Sequence, residues 1–251
     1  MSADAPLTPD EELLAVPAAA IPAADPHDQV RHARIHEADE FRVARMRAEV
    51  EAGFEALADV ERAVSVFGSA RTPAADPDYE LARAFAARLA QEGVAVITGG
   101  GPGIMEAASR GAQESGGLSI GLTIDLPDLD EAPNAYIDLP VHFHYFFARK
   151  IMFVRYASAF VVFPGGLGTF DEVFELVTLI QTRKIRSPPV VLVNHAYWAP
   201  LLDWLRGTVL AGGKISESDL NLLYVADDVE DIYEHIASAV SVRRIHRPHS
   251  E

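Results

Sequence analysis

The chain has no cysteine, and it has no apolar run long enough to cross a bilayer. The first absence excludes disulfides, thiol chemistry and cysteine-ligated metal sites. The second argues against a transmembrane helix, which needs about 20 apolar residues. Basic residues are also scarce, since 21 Lys and Arg stand against 37 Asp and Glu for a formal net charge of −16. We therefore expect neither a nucleic-acid nor a membrane partner.

The N-terminal residues, Met-Ser-Ala-Asp-Ala-Pro, are acidic and lack the basic region of a signal peptide. Together with the absence of cysteine, this predicts a cytoplasmic protein. Composition divides the chain into an Ala-, Pro- and acid-rich arm predicted to be disordered, an N-terminal helix, a main domain and a frayed tail. These are residues 1–27, 28–58, 59–242 and 243–251.

The predicted N-terminal helix has an apolar stripe and many charges elsewhere. Val43, Met46, Val50 and Phe54 recur at helical spacing. This stripe must pack on the main domain or on a second subunit.

The main domain alternates short apolar runs with amphipathic segments. The alternation predicts a mostly parallel sheet covered by helices on both faces, which is an α/β, doubly wound, Rossmann-like fold. The predicted strands are 63–67, 94–98, 118–122, 159–163, 189–193 and 222–225. The predicted helices are 79–91, 104–114, 145–156, 172–182, 198–210 and 229–240.

A glycine-rich turn joins the strand at 159–163 to the helix at 172–182. Its sequence, Pro-Gly-Gly-Leu-Gly-Thr-Phe-Asp-Glu, brings main-chain N–H groups to a helix N-terminus, where an anion such as phosphate binds. Thr169 and Glu172 also have the spacing of a capping box. A cap does not require three glycines before it, so we favour a phosphate site. Its predicted ligands are Gly165, Gly166, Gly168 and Thr169.

Two further predicted strands end in unusual turns. Gly68-Ser69-Ala70-Arg71 follows the strand at 63–67, and Gly99-Gly100-Gly101-Pro102-Gly103 follows the strand at 94–98. Since ligands of such folds lie at the carboxyl ends of the strands, the turns predict a nucleotide-sized cleft. The chain has no P-loop lysine and no dinucleotide fingerprint after the strand at 63–67, which disfavours ATP hydrolysis and NAD binding.

A basic pair, Arg149 and Lys150, lies among apolar residues on the helix at 145–156. It could serve the cleft, or its aliphatic stems could cover apolar surface while the charged ends reach water. The spacing alone leaves both interpretations open.

Two other residue pairs are weaker candidates for a functional site. His142 and His144 have no carboxylates at ligand spacing, which favours a structural role over a metal site. Asp171 and Glu172 point about 100° apart on a helix, so they are not the opposed carboxylate pair of a glycosidase.

The motifs resemble the LONELY GUY (LOG) family, long described as lysine decarboxylases. Residues 164–172 resemble its PGGxGTxxE signature, and Arg149-Lys150-Ile151-Met152 resembles its Arg-Lys motif. Residues 99–106 resemble its GGGxGxM(E) turn, and residues 67–71 its first-strand turn. The resemblance extends over about residues 60–240.

The resemblance implies a dimeric cytokinin riboside 5′-monophosphate phosphoribohydrolase or a broader nucleoside monophosphate nucleosidase. It implies a nucleoside 5′-monophosphate substrate, no cofactor and no metal, with Arg149 and Glu172 as catalytic residues. The residues that it places at the ribose and base are Gly68, Ser69, Arg71, Gly99, Gly100, Gly101, Gly103, Met105, Glu106, Lys150, Met152 and Asp171.

Two positions depart from the family pattern: Ala148 stands where many members have Glu, and Ser109 where many have Asn. Both could shift the preferred base. Two other functions stay open, namely a nucleotide or molybdenum-cofactor carrier of the same fold and an interaction module that uses the N-terminal helix.

Overall fold

The computed structural model describes residues 26–124 and 133–241. Its strands are β1 (Ala63–Phe67), β2 (Ala95–Thr98), β3 (Ser119–Ile124), β4 (Leu139–Phe143), β5 (Ala159–Val162), β6 (Val190–Val193) and β7 (Leu223–Ala226). Its α-helices are α1 (Pro26–Ala56), α2 (Pro77–Gln91), α3 (Ile104–Glu114), α4 (Phe146–Tyr156), α5 (Leu167–Gln181), α6 (His195–Trp204), α7 (Glu217–Leu220) and α8 (Val229–Val240). A π-helical segment, Leu205–Leu210, continues α6. The predicted arm before residue 26 and the predicted tail lie outside the described residues.

All seven strands pair in parallel, in the order β4-β3-β2-β1-β5-β6-β7. The chain moves outward from β1 to β4, returns to pair β5 with β1, and moves outward again to β7. The strand order therefore reverses between β1 and β5, which is where open α/β sheets bind ligands. The predicted doubly wound, Rossmann-like fold is confirmed.

Alternation along the buried strands divides the core between the two faces of the sheet. In β1, Val64 and Val66 pack with the helices α2, α3 and α8. Ala63 and Phe67 face the other way, toward α1, α4, α5 and α6. Because both faces are covered, β1 is buried along its whole length and reads as an apolar run.

The N-terminal helix is part of one of these two layers. It begins at Pro26, two residues before the predicted start. Met46 and Val50 pack on the core, whereas Val43 is 60% exposed and Phe54 is 37% exposed. The predicted stripe thus packs on the main domain through its central residues. No helix in the described ranges is both long and apolar enough to cross a membrane.

Several elements differ from the sequence-based expectation. The strand β4 and the helix α7 fall in segments for which neither a strand nor a helix was predicted. The helix α6 begins at His195, three residues before its predicted start. The helix α5 begins at Leu167, five residues before its predicted start at Glu172, so Gly168 lies inside its first turn and Gly166 is its N-cap.

Candidate functional site

A cavity of about 890 Å³ lies at the carboxyl ends of β1, β2 and β5, where the strand order reverses. The turns after these three strands, the start of α5 and one side of α4 form its walls. The predicted site residues that line it are Gly68, Ser69, Arg71, Gly99, Gly100, Gly101, Met105, Arg149, Gly166, Gly168, Thr169, Asp171 and Glu172.

Main-chain hydrogen bonds hold the three turns together. The N–H of Ser69 donates to the carbonyl of Pro164 at 3.0 Å, and the N–H of Ile104 donates to the carbonyl of Ser69 at 3.0 Å. Gly103 has φ +66°, and a Cβ there would collide with the Ser69 carbonyl oxygen. Packing between turns therefore explains this glycine, which does not line the cavity.

The helix α5 starts without a side-chain cap. Its N-cap residue is Gly166, and Thr169 is the third helical residue. The capping-box interpretation of Thr169 and Glu172 is therefore wrong. The N–H of Phe170 donates to the Gly166 carbonyl, which is the first bond of the helix. The N–H groups of residues 167–169 precede that bond and have no acceptor within the helix.

The structure explains the presence of glycine at the three positions of this turn in different ways. A Cβ at Gly165 would collide with the Thr169 hydroxyl, so the packing of Thr169 requires glycine there. A Cβ at Gly166 or Gly168 would meet nothing within 4 Å. The space beside these two residues is open to the cavity, so a ligand can approach the main chain closely.

A tyrosine from α6 orients the same turn. The Tyr197 hydroxyl donates to the Gly165 carbonyl at 2.5 Å. In a planar trans peptide the C=O and the following N–H point in opposite directions. This hydrogen bond therefore turns the N–H of Gly166 away from Tyr197. Asn194 caps α6 by accepting from the N–H of Tyr197 and so fixes the position of the tyrosine.

Arg149 of α4 forms another part of the cavity wall. Its guanidinium carbon lies 5.0 Å from the ring centroid of Phe146 and 5.7 Å from that of Phe153. One terminal nitrogen of this guanidinium lies 3.7 Å from the position of a Cβ at Gly99. The permanent positive charge of Arg149 therefore lies near two aromatic rings and next to the turn after β2.

Glu172 is the most perturbed carboxyl group of the site. Burial raises its pKa to about 7, against the lowering effect of the Lys150 and Arg149 charges. Lys150 itself bonds Asp171 and Glu175, each at 2.8 Å. Burial lowers the pKa of Lys150, but these two hydrogen bonds outweigh burial and raise it. Lys150 therefore remains an ammonium ion, and Glu172 exchanges a proton near neutral pH.

Five predicted site residues do not line the cavity. Gly165 supports Thr169, Gly103 packs on the turn after β1, and Lys150 pairs with two carboxylates as described. Glu106 accepts a hydrogen bond from the Tyr79 hydroxyl at 2.7 Å. Met152 is fully buried, with its Cε 2.7 Å from the position of a Cβ at Gly53 of α1.

The cavity also has side chains that the sequence did not single out as site residues. The unrecognised strand β4 brings His142 to its wall, where the Nδ1 atom lies 3.1 Å from the Thr123 hydroxyl of β3. The structure thus places His142 at the cavity, a position that the sequence did not predict. The other such wall residues are Val66, Phe67, Ala70, Thr123, Ile124, Pro133, Phe146, Phe153 and Leu167. Within the described part of the chain, no group of three or more His, Asp or Glu side chains could hold a metal ion.

Both departures from the family pattern lie in the core. Ala148 is fully buried. The Ser109 hydroxyl lies 3.2 Å from that of Thr98, which accepts a hydrogen bond from the N–H of Gly100. Ser109 therefore contacts the residue, Thr98, that holds the turn after β2 in place.

Comparison with known proteins gives a consistent assignment. A family model described as possible lysine decarboxylase matches residues 105–236, which is more than half of the chain. A cytokinin riboside 5′-monophosphate phosphoribohydrolase from Rhodococcoides fascians is 26% identical over 182 residues, covering 70% of this chain and 90% of that protein. A protein of the same name from Mycobacterium tuberculosis is 29% identical over 153 residues, covering 61% and 81%.

One solved structure with a similar fold belongs to a protein with a different role. The molybdenum cofactor binding protein from the phototrophic bacterium Rippkaea orientalis is 26% identical and superimposes with a TM-score of 0.51. The match covers 71% of this chain and 96% of that one.

Proposed function

Since this chain belongs to the LONELY GUY family, whose sequence model is described as possible lysine decarboxylase, we propose that it hydrolyses nucleoside 5′-monophosphates. The proposed substrates are AMP and N6-substituted AMP, including cytokinin riboside 5′-monophosphates. The products are the free base and ribose 5-phosphate. The observation that carries the proposal is a carboxyl group with a pKa of about 7, on the second turn of a helix whose N-terminus opens into the cavity.

The 5′-phosphate binds at the start of α5. The N–H groups of Gly166, Gly168 and Thr169 and the Thr169 hydroxyl hold its oxygens, and the partial positive charge of the helix N-terminus favours the anion. The open space at Gly166 and Gly168 supports this assignment, because packing does not require glycine at either position. The phosphate then fixes the ribose beside Glu172.

Glu172 acts on the ribose. Breaking the bond between C1′ and the base nitrogen develops oxocarbenium-like positive charge on the sugar, which a carboxylate stabilises. A water oxygen bonds to C1′ and gives a proton to Glu172, while the departing base takes up a proton from solvent. A pKa near the working pH suits a group that accepts this proton. Arg149 contacts the phosphate or polarises the departing purine.

The lysine decarboxylase description is a poor fit to this cavity. A decarboxylase that uses pyridoxal phosphate needs a lysine amine for the Schiff base. None of the described residues that line the cavity is a lysine. Lys150, just outside it, is an ammonium ion bonded to two carboxylates and cannot attack as an amine.

The family also supports a homodimer. Apolar side chains on α4 and α5 are exposed between 37% and 41%, and a second subunit could cover them. They are Phe146, Phe147, Ile151 and Phe174. Light scattering of the purified protein tests this state.

Replacement of Glu172 by Gln tests the proposed chemistry. The wild type should release adenine from AMP, and Glu172→Gln should lower kcat by about 10²–10³, the usual effect of losing one preorganised electrostatic group. AMP should still bind, because the phosphate ligands are unchanged. Adenine release by chromatography and AMP affinity by calorimetry measure the two effects.

The matched control is Glu230→Gln, an exposed carboxylate on α8, which should behave as wild type. Wild-type turnover in Glu172→Gln would remove the catalytic assignment. A panel of AMP, N6-isopentenyl-AMP, GMP and CMP identifies the preferred base.

A carrier function is the second candidate, favoured by the structural likeness to the molybdenum cofactor binding protein. A carrier would bind its ligand without breaking it. The same assay separates the two functions, since a wild-type protein that binds AMP and never releases adenine would be a carrier.

A further inference from the structure

The helix α4, which carries Arg149, is capped by another helix. Its own N-cap residue, Tyr145, makes no side-chain capping bond, and its first turn has no acidic residue. Glu49 of α1 supplies the missing acceptor. Its Oε2 atom accepts hydrogen bonds from the N–H groups of His144 at 3.0 Å and Tyr145 at 3.2 Å.

Glu49 is held in place for this contact. Its side chain is only 14% exposed, and its other carboxylate oxygen lies 3.6 Å from the Nε of Arg45. A carboxylate at a helix N-terminus also interacts favourably with the helix dipole. The cap is therefore a fixed, charge-assisted contact between two helices.

The remaining length of α1 follows α4 closely. At Gly53 a Cβ would lie 2.7 Å from the Met152 Cε, so the two helices approach where glycine leaves room. Tyr156 lies one turn after Met152 on α4, and its hydroxyl donates to the Phe54 carbonyl of α1 at 3.2 Å. The helix α4 is thus fixed between α1 and the sheet at its start, middle and end.

The capped residue is also the residue that positions Arg149. The Tyr145 carbonyl accepts the N–H of Arg149 at 3.3 Å, which closes the first turn of α4. Glu49 binds the N–H of Tyr145, and Arg149 binds its C=O. An uncapped first turn would fray, and the base of the Arg149 side chain would move with it.

We propose that Glu49 is a positioning residue for Arg149, so that the N-terminal helix α1 completes the site from outside the main domain. The inference rests on the proposed function, in which Arg149 contacts the substrate. It gives α1 a role in activity besides its contribution to the core.

Kinetics of the full-length chain provide the first test. Glu49→Ala should lower kcat/KM for AMP by roughly 5- to 30-fold, the upper part of the range by which losing a helix cap shifts an equilibrium. Glu49→Gln keeps an oxygen acceptor and should recover most of the loss. The matched control is Glu51→Ala on the same helix, since Glu51 is 62% exposed and pairs with Arg47. This control should keep wild-type kcat/KM.

A double-mutant cycle separates positioning from general destabilisation. Glu49→Ala should cause little further loss when Arg149 is already Ala, because the residue that it positions is gone. The same loss in both backgrounds would overturn the inference, since Glu49 would then act independently of Arg149.

Amide hydrogen exchange tests the cap without any substrate. Exchange at residues 144–150 should be faster by roughly 5- to 30-fold in Glu49→Ala and unchanged in Glu51→Ala. Wild-type exchange in Glu49→Ala would also overturn the inference. A wild-type protein with no turnover would refute the proposed function alone, because the exchange comparison does not depend on AMP.

Discussion

The protonation of Glu172 is decided by opposing contributions from its neighbours. Burial raises its pKa, the Lys150 and Arg149 charges lower it, and the Asp171 and Glu175 charges raise it again, to a value of about 7. The Asp171 and Glu175 carboxylates also bond Lys150 and keep it charged. A single buried acid thus exchanges its proton in the neutral range.

This pKa predicts a pH-dependent stability. A folded-state pKa of about 7, above the ordinary value of 4.5, means that the folded chain binds the proton more tightly than the unfolded chain. The contribution of Glu172 to the free energy of unfolding should therefore be fully present below about pH 4.5 and should be lost as the pH rises to about 7. Gln stays neutral, so Glu172→Gln should be the more stable protein above pH 7.

Urea unfolding of both proteins between pH 5 and pH 8 measures the effect. The stability difference should grow with pH and become constant above about pH 7. A constant difference across the range would mean that the pKa of Glu172 is not raised.

The glycine turn at the start of α5 predicts opposite effects for two similar substitutions. Gly165→Ala places a methyl group against Thr169, which must shift the first turn of α5, so we expect a lower melting temperature. Gly168→Ala meets open space and favours the helix, by about 0.5–1 kcal/mol, so stability should be kept or increased. Its methyl group would occupy the space beside the main chain, so AMP affinity should fall.

Thermal unfolding and calorimetric titration with AMP check this pair. Unchanged AMP affinity in Gly168→Ala would place the phosphate elsewhere. An unchanged melting temperature in Gly165→Ala would show that Thr169 can move without cost.

Most elements were predictable from the sequence because buried parallel strands are continuous apolar runs. The edge strand β4 was missed, since it contains Pro140 and only every second residue near its end is buried. Because β4 was missed, His142 was not recognised as a cavity residue.

The start of α5 was placed too late because glycines normally signal a turn, whereas here Gly168 lies inside the helix. Glu49 was not recognised either, because it contacts His144 and Tyr145, which are 95 and 96 positions away in the chain. Residue spacing cannot predict a contact over such a separation.

At the scale of the whole molecule, α1 belongs to the core that covers one face of the sheet. Leu57, just after this helix, is fully buried in the same cluster as Met152 and Phe153. The predicted division between an N-terminal helix and a main domain therefore does not separate two cores.

Deletion of residues 1–58 should destabilise the protein. Loss of the buried Leu57 side chain alone costs about 1.5–3 kcal/mol, which lowers the melting temperature by roughly 3–12 °C in a domain of this size. Deletion of residues 1–25 keeps every contact described above and should leave the melting temperature unchanged. If α1 were only an interaction module, both deletions would melt at the wild-type temperature.

Two parts of the cavity wall are built from different parts of the polypeptide. Around Gly166 and Gly168 the wall is backbone, whereas around Met105, His142 and Phe146 it is side chain. Substitution replaces side chains and leaves peptide groups in place. Substitutions at Met105, His142 and Phe146 can therefore change the group that is recognised there, while the N–H groups of the glycine turn stay available as long as both positions remain glycine.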